Sequence, residues 1–229
     1  FFLESVNHNK NNRYSILFAF PQEDIILEDI SDFDFLNELE SQCAHISQDL
    51  NLPFTGGWFV YLSYELIGQI EPTLSSKLSK SNLPIAYAVK IPTAVITDHQ
   101  LKKTFIVDAD DNHTRINQIL SDVKALENIP DEGILGEISE ENEQKFTGGV
   151  KSSLDYIVSG DVFQVNLSRK WSCSLTSNQD SATIYKKLKK TNPAPFSALI
   201  QYEGFSVISS SPERLFSVND GLLETRPIA

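Results

Sequence analysis

The chain has 229 residues, of which 41% are hydrophobic and 22% charged, with ten glycines and ten prolines. That is the composition of an ordinary globular protein able to bury a substantial core. Lys plus Arg number 19 against 31 for Asp plus Glu, a formal charge of -12, which argues against a nucleic-acid surface because such a surface needs clustered cations.

No apolar run approaches the roughly 20 residues needed to span a bilayer, so no membrane partner is expected. The first residues lack the basic-then-apolar pattern of a signal peptide. Two cysteines far apart in sequence, Cys43 and Cys173, fit a reducing, cytoplasmic setting. The sequence holds no methionine, and the expectation is that positions are missing from it.

Arg13 to Phe20 is rich in aromatic and branched residues and predicts a buried strand. Leu36, Leu39, Cys43, Ile46 and Leu50 then form one stripe of an amphipathic helix, with Ser31 or Asp32 as its N-cap. Trp58 to Tyr64 is apolar on both faces, as a central strand is. A polar loop is expected over residues 71 to 83. Tyr87 to Thr97 predicts a strand interrupted by Pro92 at an edge or bulge, pairing with Thr104 to Val107 across the Asp98–Gln100 turn.

Ile116, Ile119, Val123 and Leu126 mark a second helix, and the acidic stretch Pro130 to Glu143 is the expected linker. A third helix buries Val150, Leu154, Ile157 and Val158 and ends at Gly160. From Phe163 the period switches to two, which predicts a strand through Ser168. A basic helix over Ala182 to Lys190 precedes two strands, Phe196 to Tyr202 and Phe205 to Ser209. Leu215 to Val218 and Leu222 to Thr225 flank a hairpin turn at Asn219-Asp220-Gly221. The expected fold is α+β, largely antiparallel sheets packed face to face with flanking helices, and incomplete. Residues 1–130 form an N-terminal sheet and helix region; residues 144–229 open a second region.

Several chemistries fail on inspection. Asp108, Asp110 and Asn112 open like a calcium loop, but His113 and Ile119 stand where Gly and Glu are required, so a solvated turn is expected. The four histidines have no ligand-like spacing, and there is no dinucleotide fingerprint, Walker loop or nucleophile elbow.

Three segments are more specific: Gly160 to Ser168, Ser211-Pro212-Glu213-Arg214-Leu215, and Glu224-Thr225-Arg226-Pro227-Ile228-Ala229. Physically, the first presents an amide pair, Gln164 and Asn166, that must find partners or a polar ligand. The second places a carboxylate at a turn, and the third reads as a strand end. A half-exposed strand and a surface ion pair would explain each one separately.

In this order and spacing they resemble the chorismate-binding enzyme family, which includes component I of anthranilate synthase and of aminodeoxychorismate synthase. Leu3-Glu4-Ser5 followed by Arg13-Tyr14-Ser15 is similar to the family's tryptophan-pocket segment. Gly56-Gly57-Trp58-Phe59, Leu62-Ser63-Tyr64-Glu65, Pro84 to Tyr87 and Asp98-His99 also fit, with Val60 where Gly is usual. The resemblance implies that Glu213 is the general acid that protonates the departing ring hydroxyl. It implies that Gln164 orients ammonia or substrate, since relatives that add water carry lysine there. Thr225, Arg226, Pro227, Ile228 and Ala229 become substrate-binding.

The resemblance further implies Mg²⁺, with ligands beyond residue 229, and ammonia from a glutamine amidotransferase subunit. Tryptophan would bind beside Ser5 as an inhibitor or a structural ligand. Asn166 and the segment Ala194 to Ala198 favour the aminodeoxychorismate branch, a transaminase-class enzyme of the 4-aminobenzoate and folate pathway. Ala229 favours anthranilate synthase, a lyase, because the other branch often carries a nucleophilic lysine there. A catalytically silent binding fragment is the third expectation.

Overall fold

The computed structural model describes residues 1–6, 13–43, 51–77, 83–127, 135–175, 180–202, 204–219 and 221–227. In chain order the strands are β1 (Phe2–Glu4), β2 (Tyr14–Ala19), β3 (Asp24–Leu27), β4 (Gly57–Leu62), β5 (Ala86–Ile91), β6 (Thr93–Asp98) and β7 (Lys103–Asp108). They continue with β8 (Leu135–Glu140), β9 (Trp171–Leu175), β10 (Phe196–Tyr202), β11 (Phe205–Ser211), β12 (Ser217–Asn219) and β13 (Leu222–Glu224). The helices are α1 (Phe35–Gln42), α2 (Ile67–Ile70), α3 (His113–Lys124), α4 (Glu143–Ser159) and α5 (Ser181–Thr191).

All strand pairs are antiparallel. The largest sheet has six strands in the order β11-β10-β1-β2-β6-β7, and a second has three in the order β3-β5-β4. The six-stranded sheet therefore crosses the boundary expected between 1–130 and 144–229. The expected linker, Pro130 to Glu143, carries β8, which pairs with β9; residues 130–134 lie outside the described residues.

The two main sheets pack face to face. Phe18 from β2 meets Phe59, Tyr87, Val89 and Ile91 from the three-stranded sheet, and Ile16 and Ile200 pack against them. The rings interlock, with Phe18 edge-on to Phe59 at 5.3 Å between centroids. The other face of the three-stranded sheet is covered by α1, where Phe35 joins Leu27, Leu66, Ala86 and Ala88.

Pro92 sits where the chain leaves one sheet for the other. β5 belongs to the three-stranded sheet and β6 to the six-stranded one, so the expected single strand over Tyr87 to Thr97 is two. Proline has no N–H with which to continue a ladder, and its carbonyl accepts from Ala109 N at 2.8 Å. Gly56 has φ of +119° and faces Ala109, whose Cβ lies 2.6 Å from where a Gly56 Cβ would stand. No side chain fits there.

Five expectations about these elements change. β4 is an edge strand and β5 the central one, which leaves Val60 and Leu62 exposed. The α1 N-cap is Asp34, which accepts from Asn37 N at 3.0 Å, because Asp32 is already engaged by the Asp29 amide. The α1 stripe runs through Phe35 and Leu39; Leu36 and Cys43 are exposed, and Ile46 and Leu50 lie outside the described residues. α4 buries none of its residues, and Val158 is 89% exposed.

The fifth change is the expected strand from Phe163 to Ser168. The segment joins no ladder, and Phe163 is 93% exposed. Alternation supplies a face for a sheet but not a partner edge. The hairpin at β12–β13 forms as expected, three residues shorter on its outer ends, and Gly160 closes α4 in the left-handed region at φ +82°.

The calcium-like triplet forms the expected turn before α3 and Asp110 is exposed, but Asp108 is not solvated. The Asp108 side chain is fully buried and accepts from Arg115 Nε at 2.7 Å and from Thr93 Oγ1 at 2.6 Å. The guanidinium of Arg115 holds its carboxyl well below the usual carboxylate range. Asn112 caps α3, so the triplet fastens α3 to the β6–β7 hairpin.

Candidate functional site

The Ser-Pro-Glu-Arg segment follows directly from β11. Ser211 Oγ donates to Glu213 O at 3.0 Å and accepts from Glu213 N at 3.2 Å, which shapes the turn that presents Glu213. β12 and β13 then fold back in register, Ser217 opposite Glu224. That return brings the third segment beside the second. Thr225 Oγ1 donates to Leu215 O at 2.9 Å, and Arg214 donates to Glu224 Oε2 at 3.3 Å. Arg226 donates to the other carboxylate oxygen at 2.9 Å, and Arg226 foremost holds Glu224 below its ordinary pKa.

Two of the three specific segments are thus joined. The first is not. Gln164 is exposed and donates to Asn166 Oδ1 at 3.3 Å; no hydrogen bond among the described residues links it to Glu213 or to Thr225, Arg226 or Pro227. Ile228 and Ala229 lie outside the described residues. Glu213 is itself exposed, so nothing described here shields it from water as a general acid requires.

A second concave site lies at β1. A cavity of about 170 Å³ is lined by Leu3, Glu4, Ser5, Tyr14, Ile16, Pro195, Phe196 and Ser197. The Leu3-Glu4-Ser5 and Arg13-Tyr14-Ser15 segments meet because β1 pairs with β2, Glu4 opposite Ser15. Arg13 and Ser15 brace the pocket from behind. Arg13 donates to Asp98 Oδ2 at 2.6 Å through one nitrogen and 2.9 Å through another, and this bond lowers the Asp98 pKa to about 2. Ser15 Oγ and His99 Nε2 are hydrogen-bonded at 2.7 Å. The matched Asp98-His99 pair therefore buttresses the strand that carries Tyr14.

Sequence reasoning missed the far wall of this pocket and what holds it. Pro195, Phe196 and Ser197 arrive on β10, which pairs with the free edge of β1, Ser197 opposite Glu4. Tyr185 and Lys189 reach Glu4 from α5, at sequence separations of 181 and 185. No local pattern could signal contacts at that separation; only the unusual Asn192-Pro193-Ala194-Pro195 run marked the neighbourhood.

The family model described as chorismate binding enzyme matches residues 2–229. The chain belongs to the chorismate-binding enzyme family. It is 32% identical over 203 residues to aminodeoxychorismate synthase component 1 of Bacillus subtilis (strain 168), covering 83% of this chain and 42% of that protein. It is 29% identical over 235 residues to an anthranilate synthase component I-like protein of Synechocystis sp., covering 98% of this chain and 48% of the relative. Anthranilate synthase component 1 of Lactococcus lactis is 28% identical over 252 residues, covering 99% and 55%.

The crystal structure of anthranilate synthase component I from Streptococcus pneumoniae TIGR4 superposes with a TM-score of 0.75 at 23% identity, covering 94% of this chain and 54% of that one. That likeness establishes the fold. The chain spans about half the length of the curated relatives it matches. No helix among the described residues is long and apolar enough to cross a membrane.

Proposed function

We propose that the chain carries one half of a chorismate aminase of the aminodeoxychorismate synthase component I type. Ammonia would come from a glutamine amidotransferase partner. The observation that carries the choice of nucleophile is Gln164 at the position where water-adding relatives hold lysine. An amide cannot accept a proton as a general base, but it orients ammonia through its oxygen and substrate through its N–H groups.

In this reading Glu213 delivers a proton to the departing ring hydroxyl. Thr225 and Arg226, fastened beside the Glu213 turn, and the following Pro227, Ile228 and Ala229 meet the anionic substrate. Magnesium would neutralise substrate carboxylate charge when bound. Among the described residues no group of three or more His, Cys, Asp or Glu side chains stands together to hold an ion, so no step is assigned to magnesium here.

Asn166, the Ala194 to Ala198 segment and the 32% identity to the Bacillus subtilis aminodeoxychorismate synthase support this branch. Ala229 and the anthranilate synthase names of other relatives favour the second reading. A tryptophan site in the β1 pocket is compatible with either.

The test uses the complete enzyme with chorismate, Mg²⁺ and ammonium, with and without the lyase that completes 4-aminobenzoate. Product appearing only with the lyase supports the first branch; anthranilate formed without it establishes the second. Complete inactivity of the intact protein would leave the silent binding module.

A further inference from the structure

We infer that Arg169 is a positioning residue for Gln164, an inference that rests on the proposed role of Gln164 in orienting ammonia. From Asp161 to Lys170 every residue is exposed except Arg169. The segment joins no strand ladder there, so its course depends on the few side chains that hold it. Gly160 fixes its start by closing α4, and Asp161 N donates to Tyr156 O at 3.0 Å.

Arg169 fixes its end. The guanidinium lies over two rings, 5.7 Å from the Phe146 centroid and 4.9 Å from the Trp171 centroid. Phe146 belongs to α4 and Trp171 to β9. Arg169 Nη2 donates to Glu140 Oε2 of β8 at 3.0 Å, and Trp171 Nε1 donates to the same oxygen at 3.1 Å. Arg169 Nε is buried and has no acceptor among the described residues. The ring faces and one carboxylate therefore hold this cation.

Phe146, Gly149 and Ser153 are the residues of α4 that are not exposed, and their spacings of 3 and 4 put them on one helix face. Both Leu167 Cδ atoms stand 3.9 Å from where a Gly149 Cβ would lie. The segment thus runs back along this face, Leu167 at Gly149 and Arg169 at Phe146. Gln164 is carried on it, and its hydrogen bond to Asn166 ties it to nothing outside the segment. Its place relative to the rest of the molecule is set by Leu167 and Arg169, and Arg169 joins α4, β8 and β9 at once.

The test is a double-mutant cycle on the complete enzyme with chorismate, Mg²⁺ and ammonium. A displacement of about 1 Å at an orienting group costs on the order of 100-fold, so Gln164→Ala and Arg169→Met should each raise the KM for ammonia about tenfold. The double variant should be no worse than Gln164→Ala alone, because Arg169 acts through Gln164. Arg169→Lys keeps a cation over the rings and should return the KM to within about threefold of the unmodified enzyme. Phe146→Leu, which removes one ring, should shift it toward Arg169→Met, and it carries the same cycle if Arg169→Met does not fold. Penalties that add in full, an unchanged ammonia KM in Arg169→Met, or a lysine variant no better than methionine overturns the inference while the role of Gln164 stands. An unchanged ammonia KM in Gln164→Ala removes the role of Gln164 itself, and the inference with it.

Discussion

Glu213 shows what a residue can and cannot do alone. Its turn is built by Ser211, and its neighbour Arg214 reaches across to Glu224, so the backbone beneath the exposed carboxylate is held. In the complete enzyme, Glu213→Gln should lower kcat at least about 100-fold with little change in KM, the loss typical of a missing general acid. Steady-state kinetics would show it, and full turnover in the variant would remove the assignment. Arg115 makes the opposite case, a residue committed to structure. Removing it leaves the fully buried Asp108 carboxylate without its cation, and Arg115→Ala should cost about 3 kcal/mol in chemical denaturation.

At the scale of elements, joints are more sensitive than strands. Asn112 accepts from Thr114 N at 3.0 Å and caps α3, so Asn112→Ala should cost about 1 kcal/mol. Gly56→Ala should cost more, about 2 kcal/mol or above. It combines a positive φ with a 2.6 Å approach to Ala109 Cβ. Thermal melts of the two variants should rank them in that order. The reverse ranking would mean that the β4 entrance yields easily to a side chain.

Elements whose pattern and partner lie close in sequence were legible beforehand. β6 and β7 were read together across Asp98–Gln100, and β12 and β13 across Gly221, because a hairpin needs only its own turn and two alternating flanks. Pro92 was recognised as an interruption, yet its role as a corner between two sheets depends on which partners β5 and β6 find. Gly160 and the Ser-Pro-Glu-Arg turn were legible for the same local reason. The burial of α4 was not: its apolar residues are real, but nothing among the described residues covers them.

Across the whole molecule, charge and exposure set the behaviour. Asp98 sits at about 2 and Asp108 well below its usual range, each beside an arginine. Both are depressed relative to the unfolded value near 3.9. Their stabilisation is therefore complete above about pH 4 and is lost as the pH falls toward 2. Thermal midpoints should drop through that window, and Arg13→Gln should flatten the drop. Val158, Phe163, Leu215 and Leu222 are exposed at 89%, 93%, 76% and 68%. Exposed apolar surface promotes association. The 229-residue chain should bind a hydrophobic dye and sediment as more than one species. Phe163→Ser should reduce both effects.

By itself the sequence determined the family, the α+β class and the local turns, and it singled out Gln164 and Glu213 as candidates, because each resides in a few adjacent residues or in their order along the chain. Only the tertiary structure decided that β10 and β11 complete the six-stranded sheet and that Glu4 is gripped from α5. It alone decided that Thr225 reaches the Leu215 carbonyl and Arg214 reaches Glu224 while Gln164 stands apart. The sheet and the grip on Glu4 depend on which edges pair across more than a hundred residues, and pairing is chosen by the total burial of the sheets, which no local pattern contains.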